Sequence, residues 1–261
     1  MNQATKPVVL LIDDNEEILE FLDEELSEKY TLLKAASAEA AFPLLKEESV
    51  QLIVSDVMMP GMDGFELCRL IKSDVEFSHI PLILLTAKNT LQSKIEGLEI
   101  GADAYIEKPF SPAYLQAQIS TLLMNRSKLR DYFAQSPLVH LKSMAHSRAD
   151  EQFLEELHVA IVAHMADEDL DVEKLAQHMA VSRPTLYRKI KAVSNMTPNE
   201  LIHLTRLKKA AELLAAGTHK MYAITELVGY SSQTAFTRSF SKQFGMTPSE
   251  YQKREKEKSE K

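Results

Sequence analysis

Cysteine occurs once, tryptophan not at all, and glycine seven times in 261 residues. A single thiol, Cys68, excludes an internal disulfide framework and fits a reducing compartment. It falls in an expected helix, where it reads as packing. No apolar run approaches the roughly 18 residues that a membrane span needs, and the N-terminus has no apolar signal-peptide segment. The cytoplasm is the expected location, with no membrane contact by this segment. Scarce cysteine also bears on the histidines, five of which fall between His140 and His178. His140/His146 and His158/His164 miss the i,i+4 spacing of a helical metal pair, and without thiolate partners no zinc site is expected.

Basic charge is scarce at one end of the chain and acidic charge at the other. The net charge of −8 conceals this division. Residues 1–125 hold 9 Lys+Arg against 21 Asp+Glu, residues 126–181 hold 6 against 10, and residues 182–254 hold 12 against 4. A basic segment on an acidic chain points to a polyanion partner for that segment alone. The length allows two domains of ordinary size.

Along residues 1–125, short apolar runs alternate with helical spacings. Strands are expected at Val8–Ile12, Tyr30–Ala35, Leu52–Ser55, Ile80–Leu85 and Asp103–Ile106. Helices are expected at Glu16–Lys29, Ala38–Glu48 (with Pro43 a local irregularity), Gly64–Ser73, Thr90–Ile100 closed by Gly101, and Ser111–Met124. Five such alternations predict an α/β fold with a doubly wound parallel sheet. In such a sheet the chemistry sits in the crevice outside the strand C-termini.

The residues at those termini form a pattern. The first strand runs into Asp13-Asp14, the third into Asp56, the fourth into Thr86, and Lys108 follows the fifth. Three carboxylates on one rim repel unless a cation or proton intervenes. Mg²⁺, which takes carboxylate oxygens and keeps several waters, is the natural occupant. Phosphoryl transfer needs neutralised charge and positioning. Here the metal and Lys108 would neutralise oxygens, Thr86 would donate a hydroxyl, and Asp56 would be the nucleophile.

With the loop Met59-Pro60-Gly61-Met62-Asp63-Gly64, Thr86-Ala87 and Lys108-Pro109-Phe110, residues 5–125 resemble a response-regulator receiver domain. The resemblance implies a flavodoxin-like fold, Asp56 as phosphoacceptor from a sensor histidine kinase, and Mg²⁺ on Asp13, Asp14, Asp56 and the backbone carbonyl of Met58. It further implies a cis Lys108–Pro109 bond and a switch in which Thr86 moves toward the phosphoryl group while Tyr105 turns inward. A phosphatase of the haloacid-dehalogenase type also phosphorylates an aspartate beside Mg²⁺. That family places a general-acid aspartate two residues after the nucleophile, and here that position is Met58, which cannot transfer a proton.

Residues 126–150 read as a linker, in which Leu129, Tyr132 and Phe133 either continue the fifth helix or pack on a neighbour. Glu151–Met165 is helical, with Phe153, Leu154, Leu157, Ile161 and Met165 on one stripe. Beyond it lies a repeat at a shift of 50 residues: Ser182, Arg188, Met196, Thr197, Pro198 and Glu200 recur as Ser232, Arg238, Met246, Thr247, Pro248 and Glu250. Thr-Pro-x-Glu is itself a helix start, with threonine as N-cap, proline at N1 and glutamate at N3. Short helices before each unit, Val172–Met179 and Tyr222–Val228, complete two helix-turn-helix units joined by a longer helix, Asn199–Ala216. With Leu186/Ile190 and Phe236/Phe240 inward, the exposed face of the first unit carries Arg183, Pro184, Tyr187, Arg188 and Lys191. The second carries Gln233, Thr234, Thr237 and Arg238. Arginine reads guanine and glutamine adenine, while Lys191 and Lys242 suit phosphates. Lys208 and Lys209 read as solvated surface charges.

Residues 151–254 resemble the AraC/XylS DNA-binding domain, most closely over Gly229-Tyr230-Ser231-Ser232 through Phe236, Arg238, Phe240, Phe244-Gly245 and Thr247-Pro248-Ser249-Glu250-Tyr251. Thr225 departs from it, standing where the family usually has alanine. Receiver, linker and this domain together resemble the C-terminal part of hybrid two-component sensors, so the chain is either a free-standing regulator or a piece of a longer one. Residues 255–261 form a charged tail. The resemblance implies a non-enzymatic, phosphorylation-controlled transcription factor that binds double-stranded DNA and forms a homodimer on phosphorylation, with RNA polymerase a candidate partner. The rival outside this class is a receiver-gated module that binds protein, against which the basic segment and the repeated arginines speak.

Overall fold

The computed structural model describes residues 6–87, 99–135, 145 and 147–259. The chain divides into two compact units, one built on the residues up to 129 and the other on those from 151 onward.

The first unit contains strands β1 (Val8–Ile12), β2 (Thr31–Ala35), β3 (Leu52–Asp56), β4 (Leu82–Thr86) and β5 (Ala104–Glu107). All pairs are parallel, in the order β2-β1-β3-β4-β5. Helices α1 (Glu16–Leu26), α2 (Ala38–Glu47), α3 (Gly64–Ser73) and α4 (Pro112–Gln135) connect and cover them. The two-residue period of a strand sends alternate residues to opposite faces. Leu10, Ile12, Ile53, Leu82 and Leu84 therefore join α2 and α3 in one core. Val9, Leu11, Val54, Ile83 and Leu85 join α1 and α4 in the other. β3 and β4 are buried along their whole length, which explains the apolar runs that open them, Leu52–Val54 and Leu82–Leu85; the polar residues that end them, Ser55, Asp56 and Thr86, are buried as well.

Caps set the helix starts. Asn15, Ser37 and Asp63 each accept a backbone N–H of the first turn of α1, α2 and α3. Pro43 lies inside α2 without ending it. The helix expected at Thr90–Ile100 lies almost wholly outside the described residues, although Gly101 has the positive φ, 93°, of the C-cap foreseen for it. The Lys108–Pro109 peptide is cis, as expected. α4 continues past Met124 to Gln135, so the first part of the expected linker is helical; residues 136–144 lie outside the described residues.

The second unit is helical: α5 (Arg148–His164), α6 (Val172–His178), α7 (Arg183–Ser194), α8 (Pro198–Ala216), α9 (Met221–Leu227), α10 (Gln233–Phe244) and α11 (Pro248–Ser259). Its apolar residues form two clusters rather than one. Phe153, Leu157, Ile161, Leu175, Leu186, Ile190, Leu201 and Leu204 belong to the first. Met165, Leu207, Leu214, Ile224, Phe236, Phe240 and Tyr251 belong to the second. Thr197 and Glu200 make a full capping box at the start of α8, and Thr247 and Glu250 exchange the same bonds at α11. The expected charged tail is helical as far as Ser259. The repeat is not uniform. Arg183 of α7 corresponds to Gln233 of α10 at a shift of 50, but Val172 corresponds to Met221, so the second turn has one residue more. Thr225, the departure from alanine, is buried and donates its hydroxyl to the Met221 carbonyl at 2.9 Å.

Candidate functional site

The order β2-β1-β3-β4-β5 reverses direction between β1 and β3, and the crevice at that switch point is where open α/β sheets bind ligands. Asp13, one residue past β1, and Asp56, the last residue of β3, both end there and are almost wholly buried. Asp14 beside them is exposed. The Lys108 ammonium bridges the buried pair, 2.9 Å from Asp13 Oδ2 and 2.7 Å from Asp56 Oδ1. Its place is set by its backbone N–H, which donates to the Thr86 carbonyl at 2.7 Å and so extends the β4–β5 pairing to the rim. The other Asp56 oxygen accepts the Met58 N–H at 3.1 Å. Thr86 is fully buried at the end of β4.

Gly64 permits this closeness. A Cβ at that position would stand 2.3 Å from the Asp56 carbonyl oxygen and 2.8 Å from Val57 Cα, so any side chain would push the start of α3 off the end of β3.

Burial pushes the Asp56 carboxyl above the ordinary aspartate value, against the pull of Lys108, and nearby Asp13 adds to the rise. Burial would lower Lys108, but its bonds to Asp56 and Asp13 outweigh that and hold it above the ordinary lysine value. One oxygen from each of Asp13, Asp14 and Asp56 falls within 4.8 Å of the others. Three hard oxygen donors on a rim open to solvent at Asp14 fit a small divalent cation that keeps some of its waters, the Mg²⁺ class. The expected fourth ligand, the Met58 carbonyl, belongs to the loop leaving β3, and the Met58 side chain is exposed.

In the second unit the repeat faces fall as the apolar spacing dictates. Leu186, Ile190, Phe236 and Phe240 are fully buried. Arg183, Pro184, Tyr187, Arg188 and Lys191 are exposed on α7; Gln233, Thr234, Arg238 and Lys242 are exposed on α10, with Thr237 half-buried. Each of these helices follows a short helix and a tight turn, and each starts on a serine cap, Ser182 or Ser232.

Comparison with known proteins agrees with both halves. A model described as "response regulator receiver domain" matches residues 9–120, and one described as "helix-turn-helix domain" matches residues 175–254. The chain joins a response regulator receiver domain to an AraC-type helix-turn-helix domain. Over 254 residues it is 39% identical to Histidine kinase P4 of Formosa agariphila, covering 97% of this chain and 18% of that protein. It is 40% identical over 141 residues to the transcriptional regulatory protein YvrH of Bacillus subtilis, covering 49% of this chain and 58% of that one. The chain thus spans less than two thirds of the length of these relatives. A solved signal receiver domain of a signal transduction histidine kinase from Syntrophus aciditrophicus is 33% identical, with a TM-score of 0.44, over 46% of this chain and 91% of that one.

In the receiver domain, Tyr105 is half-buried, with its ring 6.5 Å from that of Phe65. It lines an open groove of about 620 Å³ together with Pro109, Phe110 and the exposed Tyr114. Sequence reasoning missed a second ionic site. Asp103 accepts from Lys72 at 2.6 Å, from Arg126 at 3.0 Å and from the Leu82 N–H at 2.9 Å, and Lys72 also donates to the Ile80 carbonyl. Burial alone would raise the Asp103 carboxyl, but Lys72 and Arg126 outweigh it and hold it below the ordinary aspartate value. A depressed folded-state value stabilises the fold above the unfolded value, about pH 3.9, and that stability is lost as pH falls through the folded one. Lys72→Met should cost about 3–5 kcal/mol at neutral pH, the range for stranding one partner of a buried pair. Asp103→Asn should flatten the acid limb of the stability curve. Urea titrations at neutral and acidic pH check both.

In the helix-turn-helix domain, Lys191 donates to the Asn195 carbonyl at 2.7 Å and so also closes its own helix. Lys209 pairs with Glu212 on the surface as a solvated charge would, whereas Lys208 is half-buried and burial lowers its ammonium below the ordinary value. The His164 and His178 rings stack at 3.7 Å, a pairing that spacing along one helix cannot reveal because the two lie at the ends of α5 and α6. His140 and His146 lie outside the described residues.

Proposed function

We propose that this chain is a phosphorylation-controlled, sequence-specific DNA-binding transcriptional regulator of a two-component system. The observation that carries the reading is the buried Asp56 carboxylate held by Lys108 beside Asp13 and Asp14, in one chain with two exposed arginine-bearing recognition helices. A sensor histidine kinase supplies the phosphoryl group: an Asp56 oxygen attacks phosphorus, a P–O bond forms, and the P–N bond to the kinase histidine breaks. Asp13, Asp14, Asp56 and the Met58 carbonyl would hold Mg²⁺, which when bound neutralises charge on the carboxylates and on the phosphoryl oxygens. Lys108 then pairs with a phosphoryl oxygen in place of a carboxylate, and the Thr86 hydroxyl is the donor on the opposite side. The roughly two negative charges added at the rim favour whichever conformation offers these donors. Thr86 and Tyr105 are its switch residues.

Chemistry ends at the acyl phosphate and its slow hydrolysis, since Met58 stands where a phosphatase would need a proton donor; multiple-turnover release of phosphate would count for an enzyme instead. The working location is the cytoplasm; among the described residues no helix is long and apolar enough to cross a membrane. RNA polymerase is the partner through which bound regulator would act. The domain limits we assign are 1–125 for the receiver, 126–150 for the linker, 151–254 for the DNA-binding domain and 255–261 for the tail.

On the DNA side, Arg183, Arg188, Gln233 and Arg238 are the base readers, with Pro184, Tyr187, Thr234 and Thr237 shaping the contact and Lys191 and Lys242 on phosphates. The deciding experiment is selection of bound sites from random DNA with and without acetyl phosphate. Enrichment of one bipartite motif, stronger with phosphodonor, is expected; no enrichment in either arm would end the DNA reading. Phosphorylation should also promote self-association through β5, the start of α4 and the 90–100 segment, where Tyr105 and Tyr114 line the groove. Sedimentation should show a dimer with beryllofluoride and Mg²⁺. A single unchanged monomer under both conditions would speak against it.

A further inference from the structure

Arg206, near the middle of α8, is only 5% exposed, an unusual place for an arginine. Its Nη2 donates to the Asp167 carbonyl at 2.6 Å, in the corner after α5. Its Nε is buried with no hydrogen-bond partner among the described residues. The guanidinium also lies against Gly229, in the turn of the second helix-turn-helix unit. A Cβ there would stand 2.7 Å from Nη2, 2.9 Å from Cζ and 2.0 Å from the Met165 carbonyl oxygen, and Gly229 has a φ of +69°. Three segments therefore meet at one side chain: the linking helix, the corner after α5, and the second unit's turn.

The position is also a seam. Leu201 and Leu204 of α8 pack in the first apolar cluster, and Leu207, Ala210 and Leu214 pack in the second. Apolar contact is non-directional and tolerates sliding, whereas a hydrogen bond holds an angle. A methionine would fill the seam at lower cost in desolvation, so the buried charge calls for a role other than filling.

We propose that Arg206, seated against Gly229, is a positioning residue that fixes the angle between recognition helices α7 and α10 and thereby the spacing of the two half-sites. This rests on the DNA reading above, but the angle itself can be measured without DNA.

The test uses the full chain carrying spin labels at Lys191→Cys and Lys242→Cys, both exposed, with Cys68 left in place because it is fully buried. Free protein with Arg206 should give one narrow label–label distance, and Arg206→Met and Gly229→Ala should broaden or shift it. The same substitutions without labels are then titrated against the selected bipartite site and against copies with one base pair added or removed between the halves. With Arg206 present, a wrong spacing should cost about tenfold in affinity, the size of a single mismatch. With Arg206→Met, the correct spacing should weaken and the ratio between spacings should fall to near unity. Arg206→Lys, which keeps a donor for the Asp167 carbonyl, should lie between, and it carries the same measurements if Arg206→Met does not fold. An unchanged distance in the folded variants would overturn the proposal. So would a uniform loss of affinity with the spacing ratio intact, because that is what lost stability alone produces. If the unsubstituted protein enriched no DNA, the DNA reading would fall, while the label distance would still decide whether Arg206 holds the angle.

Discussion

Asp56→Asn should reduce labelling of this protein by acetyl phosphate or a cognate kinase by at least about 100-fold, as removal of a nucleophile generally does. Asparagine keeps the shape and can still accept the Met58 N–H, so the loop after β3 should hold its course. What is lost is the nucleophile and the ion pair to Lys108 at 2.7 Å. Label on the unsubstituted protein should require Mg²⁺, and Asp14→Asn, which alters the exposed member of the acidic group, should raise the Mg²⁺ concentration needed while leaving the label on Asp56. The check is quantitative uptake with and without chelator, followed by mapping of the labelled peptide. Equal uptake by Asp56→Asn and the unsubstituted protein would move the acceptor elsewhere.

Replacement of Arg188 or Arg238 by alanine should cost about 1–3 kcal/mol in DNA binding and relax base preference in one half of the site only. The two arginines occupy equivalent positions of the repeat, and both are exposed on helices that begin at equivalent serine caps. Two recognition helices on one linking helix should enter successive major-groove segments, about 10–10.5 bp apart. Each arginine then governs its own segment. Lys191→Ala and Lys242→Ala should instead weaken all sequences evenly and flatten the salt dependence. Lys191→Ala also removes a bond to the end of its own helix, so its stability must be measured beside its affinity. The readout is a titration of each variant against sites altered in one half at a time. If both arginine variants relaxed the same bases, independent readout by two helices would be wrong.

The receiver's strands and the acidic rim were legible because the relevant signals are local. A strand ending in aspartate places that carboxylate at the rim whatever the rest of the chain does, and Asp13, Asp56, Thr86 and Lys108 all lie where such endings put them. The inward pairs Leu186/Ile190 and Phe236/Phe240 were legible for the same reason, since helical spacing alone decides which side they take. Strand ends at Thr86 and Glu107 lie one residue later than apolar content suggests, because pairing continues through the polar residues at the rim. The Lys72–Asp103–Arg126 group and the Arg206–Asp167 bond were not legible. Their partners lie tens of residues apart on different elements, and a lysine or arginine that will be buried looks in sequence like any solvated one. Lys208 misled in the same way. The extra residue in the second turn is not legible in a constant shift of 50, which holds over the recognition helices, where no residue is gained or lost.

The repeat has kept the serine caps of its recognition helices, the Thr-Pro-x-Glu starts and its inward pairs, but not its outward faces. Arg183, Pro184 and Tyr187 of α7 stand where α10 has Gln233, Thr234 and Thr237, and only Arg188 and Arg238 agree. On the reading proposed above, the two halves of the DNA site are therefore unlike, and a bound monomer has a head and a tail. Its operator has a direction: the same sequence inserted backwards carries the protein facing the other way along the duplex. Inverting an operator in front of a reporter promoter is then not equivalent to leaving it in place, because the surface turned toward the promoter changes from one end of the protein to the other.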